Sequence, residues 1–235
     1  RGNDFDKAAA VYEQIVSLAP NDAEAYWSLV LCRYGIEYVE DPANHKRVPT
    51  INRIQFAPIL DDADYLSALW NADDEQRAVY IAEAKAIETI QKSYLALSER
   101  EKPFDVFICY KETDDNGKRT MDSVLANDLY HQLTQEGFKV FFSRITLEDK
   151  LGTEYEPYIF AALNSAKVMV VLGTKPEYFS AVWVRNEWSR FLALIKNGEQ
   201  KVLIPAYRDM NPYDLPEEFS HLQALDMSRL WVMQD

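Results

Sequence analysis

Cysteine and histidine are both scarce in this chain of 235 residues, which holds two of the first and three of the second. Cys32 falls in an apolar helical pattern and Cys109 in an apolar strand pattern, too few and too far apart for a disulfide framework, so a reducing, cytoplasmic setting is expected. His45, His131 and His221 are scattered, and no cysteine or histidine stands at metal-ligand spacing, which argues against a zinc site; no metal is expected. Basic residues are also in the minority. Twenty-five lysines and arginines face 38 acidic residues, a formal charge of −13, and this disfavours an extended phosphate backbone or an anionic membrane as partner. No apolar run approaches the roughly 20 residues that span a bilayer, and the N-terminus lacks the basic-then-apolar layout of a signal peptide. The chain opens at Arg1 without a methionine and reads as a fragment of something longer.

What is present is ample material for a core, with 48% hydrophobic and 13% aromatic residues. Phe5, Ala8, Ala9, Tyr12, Ile15, Val16 and Ala19 recur at helical spacing up to Pro20. Asn21 or Asp22 can cap a second helix, with Tyr26, Leu29, Val30 and Arg33, running to about Tyr38. Ala8, Tyr12 and Pro20 resemble the second helix of a tetratricopeptide repeat; an ordinary helical hairpin is the competing reading, because such arrays need several copies to be stable. Pro42, Pro49 and Pro58 interrupt residues 41 to 60, which read as a loop or extended connector, and Asp73 to Leu97 reads as one long helix. This all-α region is expected to cover residues 1–102.

The polar stretch Ser98 to Pro103 separates it from a different pattern in residues 103–235. Strands are expected at Phe104–Tyr110, Val140–Phe142, Val168–Gly173 and Val202–Tyr207, with a short fifth near Leu225. Helices at Ser123–Glu136, Tyr155–Ala166 and Val182–Lys196 fall between them. Apolar strands interleaved with helices imply an α/β fold with a parallel sheet covered on both faces.

In such a fold, ligands bind beyond the carboxyl ends of the strands. The run from Phe179 to Glu187 lies between two of the apolar strands, and Trp183 and Glu187, four residues apart, share a helix face. An aromatic plate beside a carboxylate suits a nucleotide. The competing readings are plain: Glu187 as a solvated helix carboxylate, and Trp183, Trp188 and Tyr110 as packing residues.

The ordered set Phe104-Asp105-Val106-Phe107-Ile108-Cys109-Tyr110, Leu129-Tyr130 with Leu133, Glu136-Gly137-Phe138-Lys139-Val140-Phe141-Phe142, then Tyr178, Trp183 and Glu187, resembles the Toll/interleukin-1 receptor (TIR) domain. Arg144 to Glu156 resembles that family's BB loop. Leu230-Trp231 stands where an aromatic pair is common in animal receptors, and the overall pattern resembles a bacterial member. The resemblance implies a flavodoxin-like five-stranded sheet in the order 2-1-3-4-5. It also implies two possible functions, since some members are adaptors and others cleave NAD+ at the nicotinamide glycosidic bond with a glutamate preceded by a tryptophan.

Trp183 and Glu187 match that pair. The resemblance thus implies Glu187 as the catalytic residue, Trp183 packing on nicotinamide or ribose, and Tyr110 and Lys111 contacting ribose and phosphates. Arg144 would shape the pocket or touch a neighbouring subunit, and Leu151, Gly152 and Glu154 would belong to a loop that mediates self-association. Ser143 departs from the family, standing where several of its enzymes carry an acidic residue. Gly117-Lys118-Arg119-Thr120 lacks the upstream glycine of a P-loop, and G-x-G-x-x-G is absent, so NAD+ would be a substrate and no cofactor is expected. The alternative is a noncatalytic interaction module, in which the loop mediates TIR contacts and the helical region recruits a protein partner.

Overall fold

The computed structural model describes residues 5–40, 45–143 and 155–229. They divide into two compact units whose main boundary falls between Glu101 and Lys102, the first also taking in Glu156–Phe160.

The first unit is helical. Helix α1 (Phe5–Leu18) is followed by α2 (Ala23–Tyr34), where the Asp22 side chain accepts from the Ala25 N–H at 2.9 Å and satisfies one of the first-turn amides. α2 ends earlier than the sequence pattern suggests. Gly35 adopts a left-handed conformation (φ 58°) and closes the helix, and a Cβ there would sit 2.9 Å from Arg53 Cγ. The next residues form an antiparallel ribbon, β1 (Ile36–Glu40) against β2 (Arg47–Ile51), where only a helix tail and a connector were expected. Pro49 was read as breaking structure, yet this two-stranded ribbon is all edge, where a missing N–H is tolerated. α3 (Ala63–Asn71), which the sequence pattern did not single out, and α4 (Asp74–Ser98) complete the unit. α4 begins at a capping box of Asp73 and Gln76, and Trp27 stacks on Tyr80 at 5.2 Å in the core.

The second unit is built on a five-stranded parallel sheet, β3 (Val106–Tyr110), β4 (Val140–Phe141), β5 (Val168–Gly173), β6 (Val202–Tyr207) and β7 (Leu225–Asp226). Their spatial order, β4-β3-β5-β6-β7, is the expected 2-1-3-4-5 arrangement. Every residue of β3 is buried, which explains its unbroken apolar sequence. The connecting helices are α5 (Met121–Gln135), α6 (Glu156–Ser165), α7 (Pro176–Phe179) and α8 (Val182–Lys196). From β3 the chain crosses through α5 to β4 on one side, then returns through α6 to β5 on the other. The carboxyl ends of β3 and β5 therefore flank the point where the winding reverses, with Tyr110 opposite Leu172. That reversal creates the crevice in which open α/β sheets hold ligands.

Candidate functional site

β3 delivers Cys109, Tyr110 and Lys111 to the crevice, and the following loop is tied down at its root. The Thr120 hydroxyl donates to the Lys111 and Glu112 carbonyls, and its oxygen accepts from the Ser123 N–H at 3.1 Å, capping α5. The loop closes on itself through a Thr113–Arg119 bridge and an Asp114 side chain that accepts from the Asn116 and Lys118 amides. The residues after the strand are thus held by local hydrogen bonds.

Tyr110 is buried, and its phenol donates to Glu112 Oε2 while Ser143 Oγ lies 3.3 Å away. Burial pushes its ionisation far above the ordinary tyrosine range, the hydrogen bond to Glu112 adds to the rise, Ser143 opposes it, and the charges of Glu112 and Glu187 reinforce it. Cys109, fully buried, donates to the Val184 carbonyl at 3.5 Å. Its thiol is likewise held neutral, first by burial, then by the charge of Glu187 and a hydrogen bond with that side chain. Glu187 of α8 therefore lies beside the end of β3, next to a thiol and within electrostatic reach of a phenol that both stay protonated.

The other expected residues are placed as follows. Trp183, one turn before Glu187, is 56% exposed and is not a core residue. Trp188 is the core residue of the pair, 2% exposed and donating through Nε1 to the Phe179 carbonyl at 2.9 Å. Lys111 is half-buried at the strand end, and Ser143 joins the site through Tyr110. Arg144, Leu151, Gly152 and Glu154 lie outside the described residues, as does Leu230-Trp231. Among the described residues no three His, Cys, Asp or Glu side chains are grouped as metal ligands, and no helix is long and apolar enough to cross a membrane.

Two acidic residues that the sequence pattern did not single out occupy this region. Glu112 accepts from the Tyr110 phenol and, at 3.3 Å, from the Ser123 hydroxyl, whose oxygen receives Arg119 Nε at 3.2 Å. Asp122 is completely buried in the first turn of α5, and its Oδ1 accepts from the Thr174 N–H at 2.9 Å and hydroxyl at 2.7 Å. Its Oδ2 has no hydrogen-bond partner among the described residues. Burial raises the Asp122 carboxyl to about 6, against the opposing hydrogen bonds from Thr174 and neighbouring amides. Asp122 thus ties the start of α5 to the residue that follows β5. A Thr120 cap three residues before Ser123 was the one sequence signal that could have marked this helix start.

Taken together, the crevice offers one carboxylate on α8, a second at the end of β3, neutral hydroxyls between the strands, and an exposed aromatic plate one turn from Glu187. Carboxylates and hydroxyls accept hydrogen bonds from a sugar, and a carboxylate stabilises positive charge developing on it.

The family profile described as the TIR domain matches residues 106–234, more than half of the chain. Solved structures that resemble it include the following two. The TIR domain of a Toll-related receptor from Hydra magnipapillata is 21% identical, with a TM-score of 0.39, over 55% of this chain and 88% of that one. The TIR domains of the activated Roq1 resistosome, which recognises the pathogen effector XopQ, are 18% identical with a TM-score of 0.36, over 47% of this chain and 60% of that one. No curated protein matches the sequence.

Proposed function

Since the chain belongs to the TIR domain family, we propose that residues 103–235 form an NAD+ nucleosidase that cleaves the bond between nicotinamide and ribose. The observation that carries this reading is the position of Glu187, beside Cys109 and Tyr110 at the carboxyl end of β3 and one turn from the exposed Trp183. Nicotinamide in NAD+ is already cationic. When the ribose C1′–N bond breaks, its electron pair goes to the ring nitrogen and the leaving group departs neutral, so no general acid is needed. The positive charge passes to the ribose, and Glu187 stabilises it while accepting from ribose hydroxyls. Water then attacks C1′ and loses its proton to the medium, giving ADP-ribose; attack by the adenine base gives a cyclic isomer instead. Trp183 packs against nicotinamide or ribose, and Lys111 serves the phosphates.

The reaction is switched on by self-association through the segment containing Arg144, Leu151, Gly152 and Glu154, and the helical unit engages a protein partner. The setting we propose for it is the cytoplasm, in bacterial antiphage defence or signalling. Chromatography of NAD+ incubated with concentrated, assembled protein tests it, with nicotinamide and ADP-ribose or a cyclic isomer as the expected products. Intact NAD+ under conditions where oligomers are seen by sedimentation would favour the noncatalytic interaction module.

A further inference from the structure

Ser143 leaves the site without a carboxylate directly after β4, but hydrogen bonds at the end of β3 link it to the carboxylate of Glu112. The Tyr110 phenol carries a single proton, and that proton goes to Glu112 Oε2. Its oxygen can then only accept from Ser143 Oγ, 3.3 Å away. The Ser143 hydroxyl is thereby committed as a donor to Tyr110, which leaves its oxygen lone pairs for an incoming donor. The second oxygen of Glu112 accepts from Ser123, and Arg119 donates to the same Ser123 oxygen through both Nε and Nη2, at 3.2 and 3.1 Å. Glu112 is thus fixed at both oxygens, and its backbone carbonyl is held by the Thr120 amide at 3.1 Å. The polarity of the chain runs one way, from Ser143 through Tyr110 to Glu112.

We propose that Glu112 is a positioning residue of this site, which through Tyr110 orients the Ser143 hydroxyl to accept a hydrogen bond from a sugar hydroxyl of the bound nucleotide. The assignment rests on the NAD+ reading and adds a recognition element that composition and spacing did not reveal. A carboxylate two hydrogen bonds away supplies the acceptor polarity that a side-chain acid at position 143 would have supplied directly. What sets the orientation is an acceptor oxygen at position 112, and a charged oxygen holds the phenol's proton most firmly.

The test measures NAD+ and ADP-ribose affinity by calorimetry, alongside turnover, for wild type, Glu112→Ala, Glu112→Gln, Ser143→Ala and the Glu112→Ala/Ser143→Ala double variant, each checked by circular dichroism. Glu112→Ala is expected to weaken nucleotide binding and raise KM about tenfold with kcat nearly unchanged. Glu112→Gln, whose carbonyl oxygen can still accept from Tyr110, recovers most of that loss. In the double variant the two losses overlap instead of multiplying, because both act through one hydroxyl. Wild-type affinity in a folded Glu112→Ala, or losses that multiply, overturns the assignment while leaving the NAD+ reading intact. A wild type that binds neither nucleotide overturns both. Should Glu112→Ala fail to fold, Tyr110→Phe breaks the same chain, and unchanged nucleotide affinity in that variant is the contrary result.

Discussion

Substituting Asp122 by asparagine tests whether the buried carboxyl between α5 and β5 governs the pH dependence of stability. Asparagine keeps an oxygen to accept from Thr174 but cannot ionise. In the folded protein the Asp122 carboxyl titrates at about 6, against 3.8 for an ordinary aspartate. Because the folded state holds this proton more tightly than the unfolded chain, its contribution to stability is fully present below pH 3.8 and is lost as pH rises through 6. The whole change amounts to about 3 kcal/mol, of which about 2 kcal/mol falls between pH 4.5 and 7.5. Urea unfolding followed by circular dichroism would be measured for wild type and Asp122→Asn across that range. Taking the difference between the two proteins at each pH cancels groups common to both. Wild-type stability is expected to fall by about 2 kcal/mol relative to the variant as pH rises. A difference that stays constant with pH, or that moves in the opposite direction, would show that the Asp122 carboxyl is not held protonated by burial.

Other substitutions probe the surroundings. At Gly173, which ends β5, an added Cβ would sit 2.2 Å from Phe179 Cε2, and Phe179 is fully buried, so Gly173→Ala should cost about 1–3 kcal/mol and lower Tm by roughly 5 °C in a thermal melt. Trp183→Ala and Trp188→Ala should separate function from packing: the exposed Trp183 can be removed for less than about 0.5 kcal/mol in urea unfolding while KM for NAD+ rises about tenfold, whereas removing the buried Trp188 costs about 3–5 kcal/mol. Equal destabilisation by the two would contradict the placement of Trp183 outside the core.

Four strands of the second unit, β3 to β6, were legible because each is an unbroken apolar run bounded by polar residues, as buried parallel strands are. That Trp183 and Glu187 share a face of α8 was legible because helical periodicity fixes which residues share a face before any contact is known. Glu112 and Asp122 were not. Their surroundings depend on residues far away in sequence, Ser143, which Tyr110 links to Glu112, and Thr174, which donates to Asp122, and on the reversal of winding that brings those residues to the end of β3. Local pattern could show an acid after a strand and another at a helix start, but not that one would accept from Tyr110 and the other would be sealed from water. The β1–β2 ribbon was missed for a related reason. Its signal is Gly35 in a left-handed conformation ending α2, and that glycine sits inside an apolar stretch that continues the helical pattern.

In the proposed reaction Glu187 stabilises the positive charge that develops on ribose as nicotinamide leaves. Its most direct test is the rate of nicotinamide release from NAD+ by assembled wild type and Glu187→Ala, with equal folding by circular dichroism and equal assembly by sedimentation. Removal of the carboxylate should cut the rate by about two to three orders of magnitude with nucleotide binding largely retained. Release at the wild-type rate from the folded, assembled Glu187→Ala protein would contradict the account.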